Sequence, residues 1–177
     1  LGSSGVAPFG AALSIRRSAV PADGNIVKGN LLGTNTADAS TLGNYGSAIT
    51  ISNSSGNTIG GTTTADRNIV VGHTSFGLWI GTSTGLTANN NIVTGNYFGV
   101  KSDGVTTQSN DGGLQIYTVN GGAASGNVIG GSTAAARNVI AAARFGSGVS
   151  LSGSGTTNTV VRGNYIGADK NGNGNST

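Results

Sequence analysis

Three copies of one short segment run through the chain, and this repetition limits the possible folds more than any other feature of the sequence. The copies are NIVKGNLLG at residues 25–33, NIVTGNYFG at residues 91–99 and TVVRGNYIG at residues 159–167. A second pair alternates with them, GNTIGGTTTADRNIV at residues 56–70 and GNVIGGSTAAARNVI at residues 126–140. Such self-similarity is typical of repeat architectures, in which each unit buries its apolar face against the next unit.

The composition favours short strands over a globular core. The 177 residues include 33 Gly, only 8% charged and 5% aromatic residues, and no Cys, Met or Glu. Short Val, Ile and Leu runs alternate with Asn, Ser, Thr and Gly, which is the pattern of strands joined by turns. The net charge of +3 comes from few charges, so nucleic acid is not an expected partner. No apolar stretch is long enough to span a membrane and no signal peptide opens the sequence, which fits a mature or excised segment.

Each repeat contains three apolar segments, which predicts three strands per coil. The first strand is a triplet whose outer residues share one face; the triplets LSI, ITI, LWI, LQI and VSL end at Ile15, Ile51, Ile80, Ile116 and Leu151. The second strand is centred on Ile26, Ile59, Ile92, Ile129 and Val160, and the third on Leu32, Ile69, Phe98, Val139 and Ile166. The prediction is an all-β fold, a parallel β-helix of about five coils that forms one domain over residues 1–177.

Two asparagine columns support this alignment. One precedes the second strand and consists of Asn25, Asn57, Asn91, Asn127 and Asn158. The other lies near the third strand and consists of Asn30, Asn68, Asn96, Asn138 and Asn164. Asn tolerates the left-handed turn conformation, and stacked amides can hydrogen-bond from coil to coil, so both columns are interpreted as structural ladders.

These motifs resemble those of the right-handed parallel β-helix repeat proteins of bacterial surfaces, whose repeats read approximately GVxI, NTIGG, ARNVISGN and GNYIGTD. The resemblance covers residues 12–169 and is carried by GNTIGG, DRN, ARN and GNYIGAD. It departs at residues 70–73 and 141–144, where the Asn of ISGN is missing. The resemblance implies a right-handed coil, as the crossover rule for parallel strands also does, and an extracellular or cell-surface location.

The outer face of the first sheet is the first place to look for a binding site. In polysaccharide-degrading β-helices, stacked carboxylates on such a face bind calcium or act as acid and base. Here the two outward rows hold no acid: they are Ser14, Thr50, Trp79, Gln115 and Ser150, then Arg16, Ser52, Gly81, Tyr117 and Ser152. Trp79 and Tyr117 are candidate contacts for a glycan or a partner protein, with plain exposed strand residues as the alternative.

The acids lie in the connections between strands. Asp103 and Asp111 share the loop of residues 99–112, where they would bind a cation or be solvated. The segment DKNGNG at residues 169–174 matches the first half of an EF-hand loop, with oxygen donors at Asp169, Asn171 and Asn173. Its final acidic ligand would lie beyond the given sequence, so these three residues are weak calcium candidates beside a simple turn. No other cofactor is expected, and the single histidine, His73, is interpreted as a loop residue.

The sequence therefore predicts a non-enzymatic structural protein, a rigid rod or filament subunit that is adhesive through its loops. The expected partner is the protein itself, by head-to-tail stacking or by continuation of a longer solenoid, because neither end of the sequence shows a polar or helical cap. Glycans are a further candidate partner. The alternative function is a carbohydrate-binding or polysaccharide-degrading β-helix that uses Trp79 and Tyr117 with the acids of the Asp103 loop.

Overall fold

The chain forms the predicted parallel β-solenoid. The computed structural model describes residues 10–38, 42–141 and 143–174. All strand pairs are parallel, and each of the three large sheets takes one strand from each of five successive coils. The helical elements of these ranges are two 3-10 turns, Thr64–Asp66 and Ala134–Ala136. None of the described segments is a helix long and apolar enough to cross a membrane.

The strands are short and follow one another in a fixed order through the sheets. Sheet 1 consists of β1 (Leu13–Arg16), β4 (Ile49–Ser52), β7 (Phe76–Thr82), β10 (Gly112–Thr118) and β14 (Val149–Ser152). Sheet 2 consists of β2 (Ile26–Val27), β5 (Thr58–Gly60), β8 (Ile92–Thr94), β12 (Val128–Gly130) and β16 (Val160–Arg162). Sheet 3 consists of β3 (Leu31–Leu32), β6 (Ile69–Val70), β9 (Tyr97–Phe98), β13 (Val139–Ile140) and β17 (Tyr165–Ile166). A small fourth sheet pairs β11 (Ala124–Ser125) with β15 (Thr156–Thr157).

The register of sheet 1 is the predicted one, whereas the predicted columns of sheets 2 and 3 are each wrong by one residue in some coils. The inward column of sheet 2 is Val27, Ile59, Val93, Ile129 and Val161, so Ile26, Ile92 and Val160 face outward. The inward column of sheet 3 is Leu32, Val70, Phe98, Ile140 and Ile166, so Ile69 and Val139 face outward. A slip of one residue reverses every side chain of a strand. The sequence does not show which residue faces the core here, because adjacent residues such as Ile69 and Val70 are both apolar.

In the second, third and fourth coils, sheet 3 is buried on both faces, which explains its continuous apolar strands. Its inward residues join the main core between the three sheets. Its outward residues form a second apolar cluster outside the solenoid, made of Ile69, Val71, Tyr97, Val100, Val139 and Ala141 with Tyr165 packed against it. The sequence predicted one core, and the second cluster is a feature that the strand periods alone do not indicate.

The second asparagine column is a continuous ladder of hydrogen bonds. In each step the backbone N–H and side-chain amide of one Asn donate to Oδ1 of the Asn in the next coil, from Asn30 through Asn68, Asn96 and Asn138 to Asn164. The side-chain distances are 2.9–3.1 Å. The amide of Asn68 also donates to the carbonyl of Val27 on sheet 2. The ladder therefore satisfies backbone groups that the corner would otherwise bury unpaired.

The first column has the same bonds from Asn25 through Asn57 and Asn91 to Asn127, but Asn158 does not belong to it. Thr159 occupies that position, since Val160 is the register partner of Val128. Asn158 instead has φ 52° and takes the left-handed position that Gly126 fills one coil earlier. The ladder residues themselves have negative φ, so the left-handed conformation belongs to the residue before them. The amide of Asn127 and the hydroxyl of Thr159 lack hydrogen-bond partners.

The two ends of the solenoid differ in the exposure of their core side chains. The core residues of the first coil, Ile15, Val27 and Leu32, are only 8%, 7% and 9% exposed. Their equivalents in the last coil are much more exposed, at 44% for Leu151, 38% for Val161 and 49% for Ile166. The prediction that neither end carries a cap concerns the terminal residues, which lie outside the described residues.

Candidate functional site

The outer face of sheet 1 does not present the predicted aromatic pair. Trp79 on β7 is only 7% exposed, and its indole ring lies across Gly81. A Cβ added to Gly81 would lie 2.0 Å from the indole Cη2 atom, so the absence of a side chain there makes room for the ring. Tyr117, the register partner of Gly81, is 38% exposed. Of the two candidate contact residues, only Tyr117 is accessible.

The two acids of the 99–112 loop serve separate local contacts. Asp103 caps its own turn: Oδ1 accepts the backbone N–H groups of Val105 and Thr106, both at 2.8 Å. The Thr106 hydroxyl and these backbone bonds lower the pKa of Asp103. Asp111 pairs with Arg144 across 3.6 Å. The structure therefore gives these two carboxylates different partners.

The weak calcium candidates form a hydrogen-bonded turn. Oδ1 of Asp169 accepts the backbone N–H groups of Asn171 and Asn173 at 2.8 and 2.9 Å, and Oδ2 lies 3.3 Å from the side-chain amide of Asn173. The bonds from Asn173 and Asn171 lower the pKa of Asp169. These contacts fold the segment around the carboxylate of Asp169, and calcium binding by Asp169, Asn171 and Asn173 stays a prediction from the sequence.

His73 is a rung of a third corner ladder. The backbone N–H of Asn44 donates to Nδ1 of His73 at 3.1 Å, and the backbone N–H of His73 donates to Oδ1 of Asn110 at 3.0 Å. Nδ1 thus takes the acceptor role of an asparagine oxygen, which assigns the neutral ring with its proton on Nε2. The side chain is 1% exposed, and this burial lowers its pKa below 6.5, with the backbone of Leu32 opposing part of the shift.

Two arginines that precede sheet 3 stack on tyrosines of the following coil. The guanidinium carbon of Arg67 lies 4.2 Å from the ring centroid of Tyr97, and that of Arg137 lies 4.0 Å from the ring of Tyr165. Each Nε also donates to a glycine carbonyl of that coil, at 3.1 and 2.9 Å. From the sequence alone, the recurring Arg suits a turn-supporting hydrogen bond or a surface ion pair, and the stacking on tyrosine was not predicted. The available signal was the pairing of DRN and ARN with a later GNY, which repeats once per two coils.

The arginines frame a groove on the outer face of sheet 3, which we call the sheet-3 groove. Its volume is about 260 Å³, and its lining includes Arg67, Tyr97, Arg137, Val139 and Lys170. Lys170 belongs to the turn after β17, which packs on the loop after β9 through a backbone bond from Lys170 to Gly104. A second groove of about 240 Å³ is also lined by Arg67, together with Leu31 and Ser102, so the two grooves lie side by side at this arginine.

The chemistry available in the sheet-3 groove is anion binding. Three cationic side chains line it and no carboxylate does. Within the described ranges, no group of three acidic, histidine or cysteine side chains is arranged to hold a metal ion. The groove supplies hydrogen-bond donors and positive charge, which suit carboxylate or sulfate groups.

Comparison with known proteins adds no relative. No protein-family model matches the chain, and neither the curated proteins nor the solved structures contain a match. The architecture therefore defines the class of the molecule, a parallel β-solenoid with three main strands per coil. The resemblance to bacterial surface repeat proteins stays a prediction from the sequence motifs.

Proposed function

We propose that this chain is a structural β-solenoid that forms part of a rigid extracellular rod. The supporting observation is the last described coil, in which Leu151, Val161 and Ile166 occupy core columns but remain 38–49% exposed. The strands β14, β16 and β17 are also the edge strands of their sheets. Apolar side chains beside unpaired backbone groups are the surface on which another parallel coil pairs.

The proposed occupant of this end is a further coil of the same repeat type. The ladder through Asn164 gives the expected bonding, because its backbone N–H has the position from which Asn138 donates to the next coil. The burial of Ile15, Val27 and Leu32 in the first coil argues against direct head-to-tail stacking of two copies, since these side chains would have to be uncovered first. The extracellular or cell-surface location in this proposal rests on the resemblance of the repeats to bacterial surface proteins.

The proposal is tested by extending the solenoid. A copy of residues 108–174 is joined after Gly174, which adds two coils in the phase set by the loops after β9 and β17. The added coils are expected to lengthen the particle by about 10 Å and to raise the midpoint of chemical unfolding, because the present end becomes an interior coil. Small-angle X-ray scattering and circular dichroism measure the two effects.

A scrambled sequence of equal length and composition is the matched control. An extension that remains unfolded, or that changes length and stability no more than the scrambled control does, contradicts the proposal. Sedimentation of the original chain at increasing concentration adds a separate outcome. Growth of the original chain into long particles would show that a second copy packs on the last coil. It would contradict the inference that the buried first coil prevents direct stacking.

A further inference from the structure

The sheet-3 groove is set apart from the rest of the surface by cations that are held in place yet retain free donors. Arg67 and Arg137 each lie face-on against a tyrosine ring and use Nε for a backbone carbonyl. The salt bridges of the described residues involve Lys28 with Asp66 and Arg144 with Asp111, so they do not include these arginines. Within the described part of the chain, the terminal guanidinium nitrogens of these two arginines make no hydrogen bond or ion pair.

This arrangement of the two arginines lowers the entropic cost of binding an anion. The stacking and the Nε bond fix the orientation of each guanidinium before a ligand arrives, which reduces the side-chain entropy lost on association. The guanidinium edges provide paired N–H groups that match the two oxygens of a carboxylate or the oxygens of a sulfate. Lys170 adds a third, exposed cation, which is close enough to Asp103 to help lower the pKa of that carboxyl.

The repeat sets the spacing of the charges. Arg67 and Arg137 occupy the same corner of the second and fourth coils, so they are about 10 Å apart along the axis of the solenoid. The neighbouring groove beside Leu31 and Ser102 extends the same surface past Arg67 toward the first coil. A small anion would contact one arginine, whereas a linear polymer along the axis would contact both.

We propose that the sheet-3 groove binds a linear acidic polysaccharide, with its carboxylate or sulfate groups on Arg67 and Arg137. The groove is open to solvent along the axis, and Ala134 and Val139 add apolar surface to its cationic lining. A single-stranded nucleic acid fits less well, because Tyr97 is covered by Arg67 and is not free to stack on a base. This site is independent of the proposed extension at the C-terminal coil, and it lies on a different face from Trp79 and Tyr117.

Binding is measured by isothermal titration calorimetry with polygalacturonate as the carboxylate polymer and dextran sulfate as the sulfate polymer. Neutral dextran and single-stranded DNA test whether sugar alone or negative charge alone is sufficient. We expect at least one acidic polysaccharide to bind, with an affinity that falls as salt rises, and neutral dextran to show no binding. Absence of binding to both acidic polymers, or stronger binding to DNA, would overturn the proposal.

The arginines are tested with matched double variants. Arg67→Gln with Arg137→Gln is expected to weaken binding by about tenfold or more, because two charge-assisted contacts are lost. Arg16→Gln with Arg17→Gln removes the same charge at the first-sheet end of coil 1 and is expected to leave the affinity unchanged. Lys170→Gln changes an exposed turn residue and should weaken binding about threefold without affecting folding. Equal losses in the two double variants would show non-specific attraction and would contradict the assigned site.

Discussion

Ile140 and Ile166 show how an interior coil differs from the end of the solenoid. The two residues are register partners in adjacent strands of sheet 3 and face the same core. Ile140 is 1% exposed, whereas Ile166 is 49% exposed. Residue type, sheet and column are identical, so the difference is supplied entirely by the presence or absence of a following coil. Stability in this fold is therefore a property of neighbouring coils rather than of a single repeat.

Alanine substitution at these two positions should give the largest difference between interior and end. Ile140→Ala creates a cavity between packed coils and is expected to cost about 2–5 kcal/mol of unfolding free energy. Ile166→Ala removes a side chain that is half solvated already, and we expect about 1 kcal/mol. Urea denaturation followed by circular dichroism measures both. Equal costs would show that the last coil is as well packed as the fourth.

The asparagine ladder should show a smaller difference of the same kind. Asn96→Ala removes the acceptor for two donors of Asn68 and the donor to Ile59, all buried, and should cost about 2–3 kcal/mol. Asn164→Ala affects equivalent but more exposed groups of the last coil and should cost about 1 kcal/mol. Denaturation midpoints at constant slope provide the measurement. A larger loss at Asn164 than at Asn96 would contradict the view that burial sets the value of a rung.

The sequence predicted the solenoid because apolar triplets and Asn columns repeat, and these patterns follow directly from stacking. It did not predict the exact columns of sheets 2 and 3, since Ile69 with Val70 and Val139 with Ile140 offer an apolar residue to either face. The burial of Trp79 was also missed, because it depends on the empty space over Gly81. The sheet-3 groove was missed for a related reason: Arg67 and Tyr97 meet only once consecutive coils are stacked.

His73 tests whether a different residue can replace asparagine within an interior ladder. Its Nδ1 accepts a hydrogen bond only when the ring is neutral, and burial lowers its pKa below the unfolded value of 6.5. The unfolded chain consequently binds a proton at higher pH than the folded chain does, so stability should decrease as pH falls below about 6.5. Thermal unfolding from pH 8 to pH 5 should reveal this loss. The three acids with lowered pKa values respond only near or below 3.8 and leave this window clear.

The matched control for this pH dependence is His73→Asn, which restores the residue type of Asn110 in the next coil. Its side-chain oxygen can accept from Asn44 at every pH in the window, so the variant should keep a constant unfolding midpoint between pH 8 and pH 5. A variant as acid-sensitive as the original protein would show that another group controls the loss.

The smallest expected effect is a gain at the break in the first ladder. Thr159 stands where the column requires Asn, and the amide of Asn127 has no partner there. The preceding Asn158 already has the left-handed φ of 52° that precedes a rung elsewhere. Thr159→Asn should therefore place an oxygen below Asn127 and stabilise the protein by about 0.5–1.5 kcal/mol. Thr157→Asn, on the neighbouring strand β15, is the control and should give no gain. An unchanged unfolding midpoint would show that completing the ladder does not stabilise the last coil when no sixth coil packs on it. In that case the stabilisation should appear only in the protein extended by residues 108–174.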